Sequence, residues 1–327
     1  MNYLSFFKVL FSYVFILINS TLYGGQAVMN GVMMKGEKNY SISVNTSKGI
    51  KTKTFPYTSI TKKYKLLNIP LLRGIVILVE MMKVGNKSLT YSADMIMMDE
   101  EESEKESGEK KSGEQLSKKE KSAFSFMMII AVLASTAFAF GLFKVLPLGA
   151  ATILNNYISI PTWTFNVVVG LTKLSIFILY IFLVSRYKDI KELFTYHGAE
   201  HKTIHCYESG QSLRTKSISS FSRIHPRCGT AFIFVVILFA IFITLFIPKE
   251  MPFWISIAFR LSLLPLIVGV SYEFQRLSAR KSWIVFKILM APGLWLQRLT
   301  TRHPSPEHIS TARTALKTVI LEDSKSE

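Results

Sequence analysis

Cysteine is scarce in this chain: 327 residues contain only Cys206 and Cys228, and no CxxC pair. That excludes a disulfide framework and the usual dithiol redox motif. Acid is also short, with 22 Asp+Glu against 39 Lys+Arg and a formal charge of +17. Such an imbalance suits nucleic acid or an anionic membrane surface. The aromatic residues are not interleaved with the basic ones as in a nucleic-acid module, so no nucleic-acid partner is expected. Internal repeats are absent. Charge itself disappears between residues 145 and 162.

What is present is apolar length. The chain is 49% hydrophobic, with a mean hydropathy of +0.30. Crossing the ~30 Å hydrocarbon layer takes about 20 mostly apolar residues, and four stretches qualify, near 123–143, 163–184, 229–247 and 253–272. Trp163, Tyr180, Trp254 and Tyr272 fall near their ends, as an aromatic belt requires. The segment 23–122 carries seventeen Lys+Arg and the segment 185–228 carries eight, whereas the links 145–162 and 248–252 carry almost none. The positive-inside rule then puts the charged segments in the cytoplasm of a plasma-membrane protein. The expected fold is mainly α, with about four transmembrane helices, interfacial helices and a small β-containing cytoplasmic segment near the N-terminus.

The remaining segments divide as follows. Residues 1–22 are apolar but short and include Lys8, and they read as an uncleaved anchor, a candidate fifth span. Residues 23–98 begin with strands: 40–45 alternate, and Ser47-Lys48-Gly49 makes a turn before a second alternating run. Within this segment, 66–82 is apolar but interrupted by Pro70 and Arg73, which suggests an interfacial or re-entrant piece. Residues 99–121 hold 9 acidic and 6 basic residues with almost nothing apolar, the composition of a disordered linker. The membrane domain then runs over 122–302. Its piece 283–301 is apolar and broken at Ala291-Pro292-Gly293. Residues 303–327 read as a cytoplasmic tail. Lys173 and Arg260 fall inside spans, where a cation is costly and suggests an anionic lipid or substrate group unless it snorkels to the surface.

Four of the six histidines lie within 29 residues. On a helix, His197, His201 and His205 stack along one face at four-residue spacing. Two imidazoles one turn apart can grip one transition metal, zinc above all. The string His197-x-x-Glu200-His201 also matches an arrangement in one class of zinc peptidases, where the glutamate activates water. Downstream, His225 and Cys228 precede a span and offer a third ligand, and Glu273 offers a carboxylate. The competing reading is a solvated helix face with incidental histidines, and a reduced structural thiol for Cys228.

Five motifs, YGGQAVMNGVMMKG at 23–36, PLLRG at 70–74, YHGAEHK at 196–202, HPRCGT at 225–230 and APGLWLQ at 291–297, together resemble the YqhQ-like family. The resemblance covers about residues 23–302. It implies a bacterial multi-pass membrane protein of unknown function, of a kind labelled a predicted metal-dependent enzyme. Two positions depart from it: Asn30 stands where an acidic residue is expected, and 303–308 lacks the expected acidic character.

Two functions fit. One is a metal-dependent enzyme, a hydrolase of a lipid-linked or membrane-proximal substrate, with a metal on His197, His201 and one of His205, His225 or Cys228, and Glu200 as general base. The other is a non-catalytic scaffold or transport-associated protein whose histidines are structural or sense metal.

Overall fold

The computed structural model describes residues 23–107, 133–278 and 283–325, with Met127 and Ile130. The apolar segment 1–22 and most of 108–132 lie outside the described residues.

Strands β1 (Gly24–Val28), β2 (Gly31–Lys35), β3 (Asn39–Thr46) and β4 (Gly49–Pro56) form an antiparallel meander in chain order. Two-residue turns join β1 to β2 and β3 to β4. Left-handed backbone helps such connections: Asn30 (φ 48°) supplies it within the first turn, and Gly49 (φ 107°) supplies it at the first residue of β4, just after the second. Asn30 is thus a turn residue, and its carbonyl accepts the Asn45 N–H at 2.7 Å.

Period-two alternation gives the sheet two buried faces. Val28, Met33, Tyr40, Ile42 and Val44 pack with Val84 of helix α1 (Leu72–Ser107). Val32 and Met34 pack with residues of α4 (Lys188–Glu208) and of α10 (Pro306–Lys325). Small residues let α10 come close: Ser41 is fully buried and its hydroxyl donates to the Ala315 carbonyl at 2.6 Å.

Several segments differ from the sequence expectation. The interfacial piece is the start of α1, a continuous helix of 36 residues beginning just past Pro70. Its last turns include the first part of the charged stretch. There Asp99 accepts the Ser47 N–H and hydroxyl, each at 2.7 Å, and Glu102 pairs with Lys48 at 2.9 Å. Glu, Lys and Met are good helix formers, so a composition typical of a linker also serves an exposed helix. The rest of that stretch lies outside the described residues. The tail is α10, whose Ile309, Ala312, Ala315, Leu316 and Val319 are buried. Near its end, Asp323 accepts from Glu37 N (2.7 Å), Lys38 N (3.2 Å) and Asn39 Nδ2 (3.0 Å), capping the β2–β3 turn.

Among the described residues, three helical units are long and apolar enough to cross a membrane: α2 (Leu133–Tyr157), α3 (Thr162–Val184) and Phe253–Ser278. After the short α5 (Thr215–Ser220), the apolar helix α6 (Gly229–Thr244) has only 16 residues. The expected first span and its uncharged link are shifted, because α2 continues through Lys144 to Tyr157. Pro147 would clash with the carbonyl four residues back in a regular helix. The backbone widens into a π-turn at Gly141–Val145 and carries on. Phe253–Ser278 is two helices, α7 (Phe253–Ser262) and α8 (Leu264–Ser278), parted just before Pro265. Conversely, α9 (Ile284–Thr300) stays helical through Pro292, where Gly293 lets it lie against Phe234 of α6.

Two charged residues are engaged inside the protein. Glu273 is bound by Arg73, whose Nε donates to Oε1 at 2.6 Å and whose Nη2 reaches Oε2. It is therefore not a ligand candidate. Arg260 is buried and donates to Asn166 Oδ1, and to Ser256 Oγ at 3.3 Å, rather than snorkelling.

Candidate metal centre

Helix α4 carries the histidine stripe, and contacts from distant segments hold it in place. A Cβ on Gly198 would run into the Arg302 carbonyl, so only glycine admits this crossing. Arg302 N–H donates to the Phe194 carbonyl at 2.8 Å. On the sheet side, Gly25 leaves room for Glu200: a Cβ there would meet Glu200 Cγ at 2.6 Å.

Each histidine of the stripe is oriented by a backbone carbonyl. His197 Nδ1 lies 2.8 Å from Thr300 O, His201 Nδ1 2.6 Å from Arg223 O and His205 Nδ1 3.0 Å from Ser222 O. A carbonyl can only accept, so Nδ1 carries the proton in all three. Each Nε2 is left with its lone pair. Metal-binding imidazoles are oriented in this way by their other ring nitrogen.

These Nε2 nitrogens meet the HPRCGT loop. His197, His201 and Cys228 each offer a ligand atom, and these atoms lie within 4.8 Å of one another. His197 Nε2 is 3.2 Å from Cys228 Sγ. Cys228 is the N-cap of α6 and its sulfur accepts the Thr230 N–H at 3.4 Å. The sulfur therefore sits where a helix favours negative charge. Of the third-ligand candidates, Cys228 joins the pair. His205 and His225 form a neighbouring layer, with ring centroids 4.6 Å apart. His225 Nε2 is 3.3 Å from Glu208 Oε2, and Glu208 also pairs with Arg227.

Glu200 faces the same point. Its Oε2 is 3.6 Å from His201 Nε2 and 3.9 Å from His197 Nε2. Burial raises the pKa of this carboxyl, opposed in part by the neighbouring His197 and His225 rings and by the Gly25 N–H. Burial also lowers His201 and His225, and brings His205 to about 4. Desolvated imidazoles of this kind are neutral at pH 7, the form that binds metal.

Four of the five sequence motifs meet here. The first supplies Gly25, the third His197, Glu200 and His201, and the fourth Cys228. The fifth supplies Gln297, which holds the loop through His225. The remaining motif, PLLRG, supplies Arg73 for the pair with Glu273. Nothing in the sequence singles out Gly25, Arg223, Gln297 or Thr300 as supports of the site. Gly25 and Gln297 stand inside motifs, but Thr300 and Arg223 act through backbone carbonyls, which leave no residue-type signal.

This arrangement sits in a chain of a recognised family. Residues 69–322 match the family described as "Protein of unknown function (DUF1385)", and the chain belongs to it. It is 33% identical over 299 residues to "Uncharacterized protein YqhQ" of Bacillus subtilis (strain 168), a match that covers 89% of each chain. No solved structure matches.

Proposed function

We propose that this is a multi-pass membrane protein that binds one divalent transition metal, zinc by its donor set, on His197 Nε2, His201 Nε2 and Cys228 Sγ, and works as a metal-dependent hydrolase. One observation carries the reading. Nδ1 protons committed to backbone carbonyls leave two imidazole lone pairs and a thiol sulfur converging on one point. Mixed histidine and cysteine ligation is typical of zinc. The metal would supply Lewis acidity. Glu200 would take a proton at Oε2, being desolvated, raised in basicity by burial and close to both imidazoles. The Lys/Arg asymmetry supports a cytoplasmic position for α4, at the inner face of a plasma membrane.

A second reading has one observation in its favour. Bonds of about 2.0–2.1 Å in a tetrahedral site imply ligand–ligand spacings of roughly 3.4 Å, and Glu200 Oε2 stands only 3.6 and 3.9 Å from the two nitrogens. As a fourth ligand it would close the site and make the metal structural, in a scaffold rather than an enzyme.

Elemental analysis of purified protein separates the cases. Wild type should carry about one equivalent of metal, as three protein ligands imply, and His197→Ala, His201→Ala and Cys228→Ser should lose it. If Glu200→Gln keeps the metal, the glutamate is the base; if it loses the metal, the site is closed. Metal-free wild type, or full metal in both histidine variants, overturns both readings.

A further inference from the structure

A second charged feature lies beside the histidine site. A cleft of about 570 Å³ opens where α3 and α9 end, and Arg186, Arg223, Arg298, Arg302 and His303 line it together with Thr301. None of its lining residues is acidic. Burial, and then repulsion from Arg298 and Arg302, make the Arg223 charge harder to keep. A negative group in the cleft would offset this crowding.

Helix ends are the first candidates for that counter-charge. Arg302 Nη2 donates to the Ser185 carbonyl at 3.2 Å, and Arg223 Nη1 to the Thr301 carbonyl. Two helix C-termini, however, carry only about −1 charge together. Four guanidinium groups exceed that several-fold. The Nε of Arg302 is also buried with no hydrogen-bond partner among the described residues. An unmet buried donor of this kind costs about 1–3 kcal/mol.

The surroundings indicate where the anion comes from. The cleft is at the cytoplasmic end of an expected span, and Phe182 forms part of its wall. Leu183 and Tyr187 beside it are exposed, at 54% and 70%. Basic pockets between helices at this level suit lipid headgroups, and planar guanidinium groups match phosphate oxygens in pairs.

We infer that this cleft binds a phosphate group, and that the phosphate belongs to an anionic lipid. The inference goes beyond the metal reading and stands whether or not metal is bound. The two sites share a residue, since the Arg223 carbonyl orients His201 while its guanidinium lines the cleft.

The test uses full-length protein in maltoside micelles. It is titrated by calorimetry with dioctanoyl phosphatidic acid, inorganic phosphate and, as the uncharged control, dioctanoylglycerol. Phosphatidic acid should bind saturably and more weakly at high salt, and dioctanoylglycerol should not bind. An Arg186→Ala/Arg298→Ala double variant should weaken binding about tenfold or more, since removing even one charge-assisted hydrogen bond has an effect of that size. Both side chains are exposed and neither orients a histidine; Arg298→Gln alone serves if the double variant unfolds. Arginine-dependent binding of inorganic phosphate as tight as that of the lipid supports the phosphate site and assigns it to a soluble ligand. Absence of arginine-dependent binding by either probe overturns the proposal.

Discussion

Gln297 holds the backbone of His225 from both sides. Its Oε1 accepts the His225 N–H and its Nε2 donates to the His225 carbonyl, each at 2.7 Å and fully buried. A residue on α9 thereby fixes the loop that presents Cys228 to α4. Gln297→Leu should strand two buried backbone groups at a cost of about 1–3 kcal/mol each. Losses in outer supports weaken metal sites by roughly 10- to 100-fold. Competition with a chromophoric chelator should show metal affinity falling while the ligands remain in place. Wild-type affinity in this variant would show that the loop needs no such clasp.

Gly24 and Gly25 make a matched pair. A Cβ on Gly24 meets nothing within 4 Å, whereas one on Gly25 runs into Glu200 at 2.6 Å and the Met33 carbonyl at 2.9 Å. Gly24→Ala should leave stability and metal content unchanged. Gly25→Ala should lower stability by about 1–3 kcal/mol, as overpacking does, and should disturb whatever Glu200 contributes. Thermal unfolding in detergent, with metal analysis of both variants, checks this.

Asp323 is the anchor of α10. Asp323→Ala removes an acceptor shared by Glu37 N, Lys38 N and Asn39 Nδ2. The expected destabilisation is about 1–3 kcal/mol. Truncation before Pro306 should be far worse, because it bares Val32 and Met34 of the sheet; such a protein should fail to accumulate in cells. Normal accumulation of the truncated protein would contradict the three-layer packing.

Orientation can be read by labelling single cysteines. Cysteines placed at Ser47 and Ser212 should react only after permeabilisation, and one at Asn156, near the short link after α2, should react in intact cells. Cys206 and Cys228 are buried, which keeps the background low. Ready labelling at Ser212 in intact cells would reverse the topology.

Much of this fold was legible because its signals are local. Alternation in 40–45 marked β3, long apolar runs marked α3 and Phe253–Ser278, and four-residue spacing put His197, His201 and His205 on one face. The departures share a cause. Pro70, Pro147 and Pro292 are the same residue type, yet one precedes a helix, one is absorbed by a π-turn and one lies inside a helix held against α6. Packing decides among these outcomes, and packing is non-local. Choosing Cys228 over His205 and His225 likewise required knowing where α6 begins relative to α4. The tail looked like a polar end because its apolar face is narrow, with Ala312 and Ala315 rather than large side chains where it meets the sheet.

The capping of the β2–β3 turn by Asp323 joins residues 286 positions apart. At a synthesis rate of about 5–20 residues per second, the interval between the two is roughly 15–60 s. During that time the helix that covers Val32 and Met34 has not yet been made. Completion of the sheet and its covering helix therefore waits on synthesis of every apolar helix between them. The histidine cluster, whose supports include Thr300 and Gln297, assembles only near the end of that synthesis. A nascent chain has no finished cluster until Thr300 has been made and no covered sheet until α10 follows, so a chain stalled before α9 presents no completed site to a passing ion.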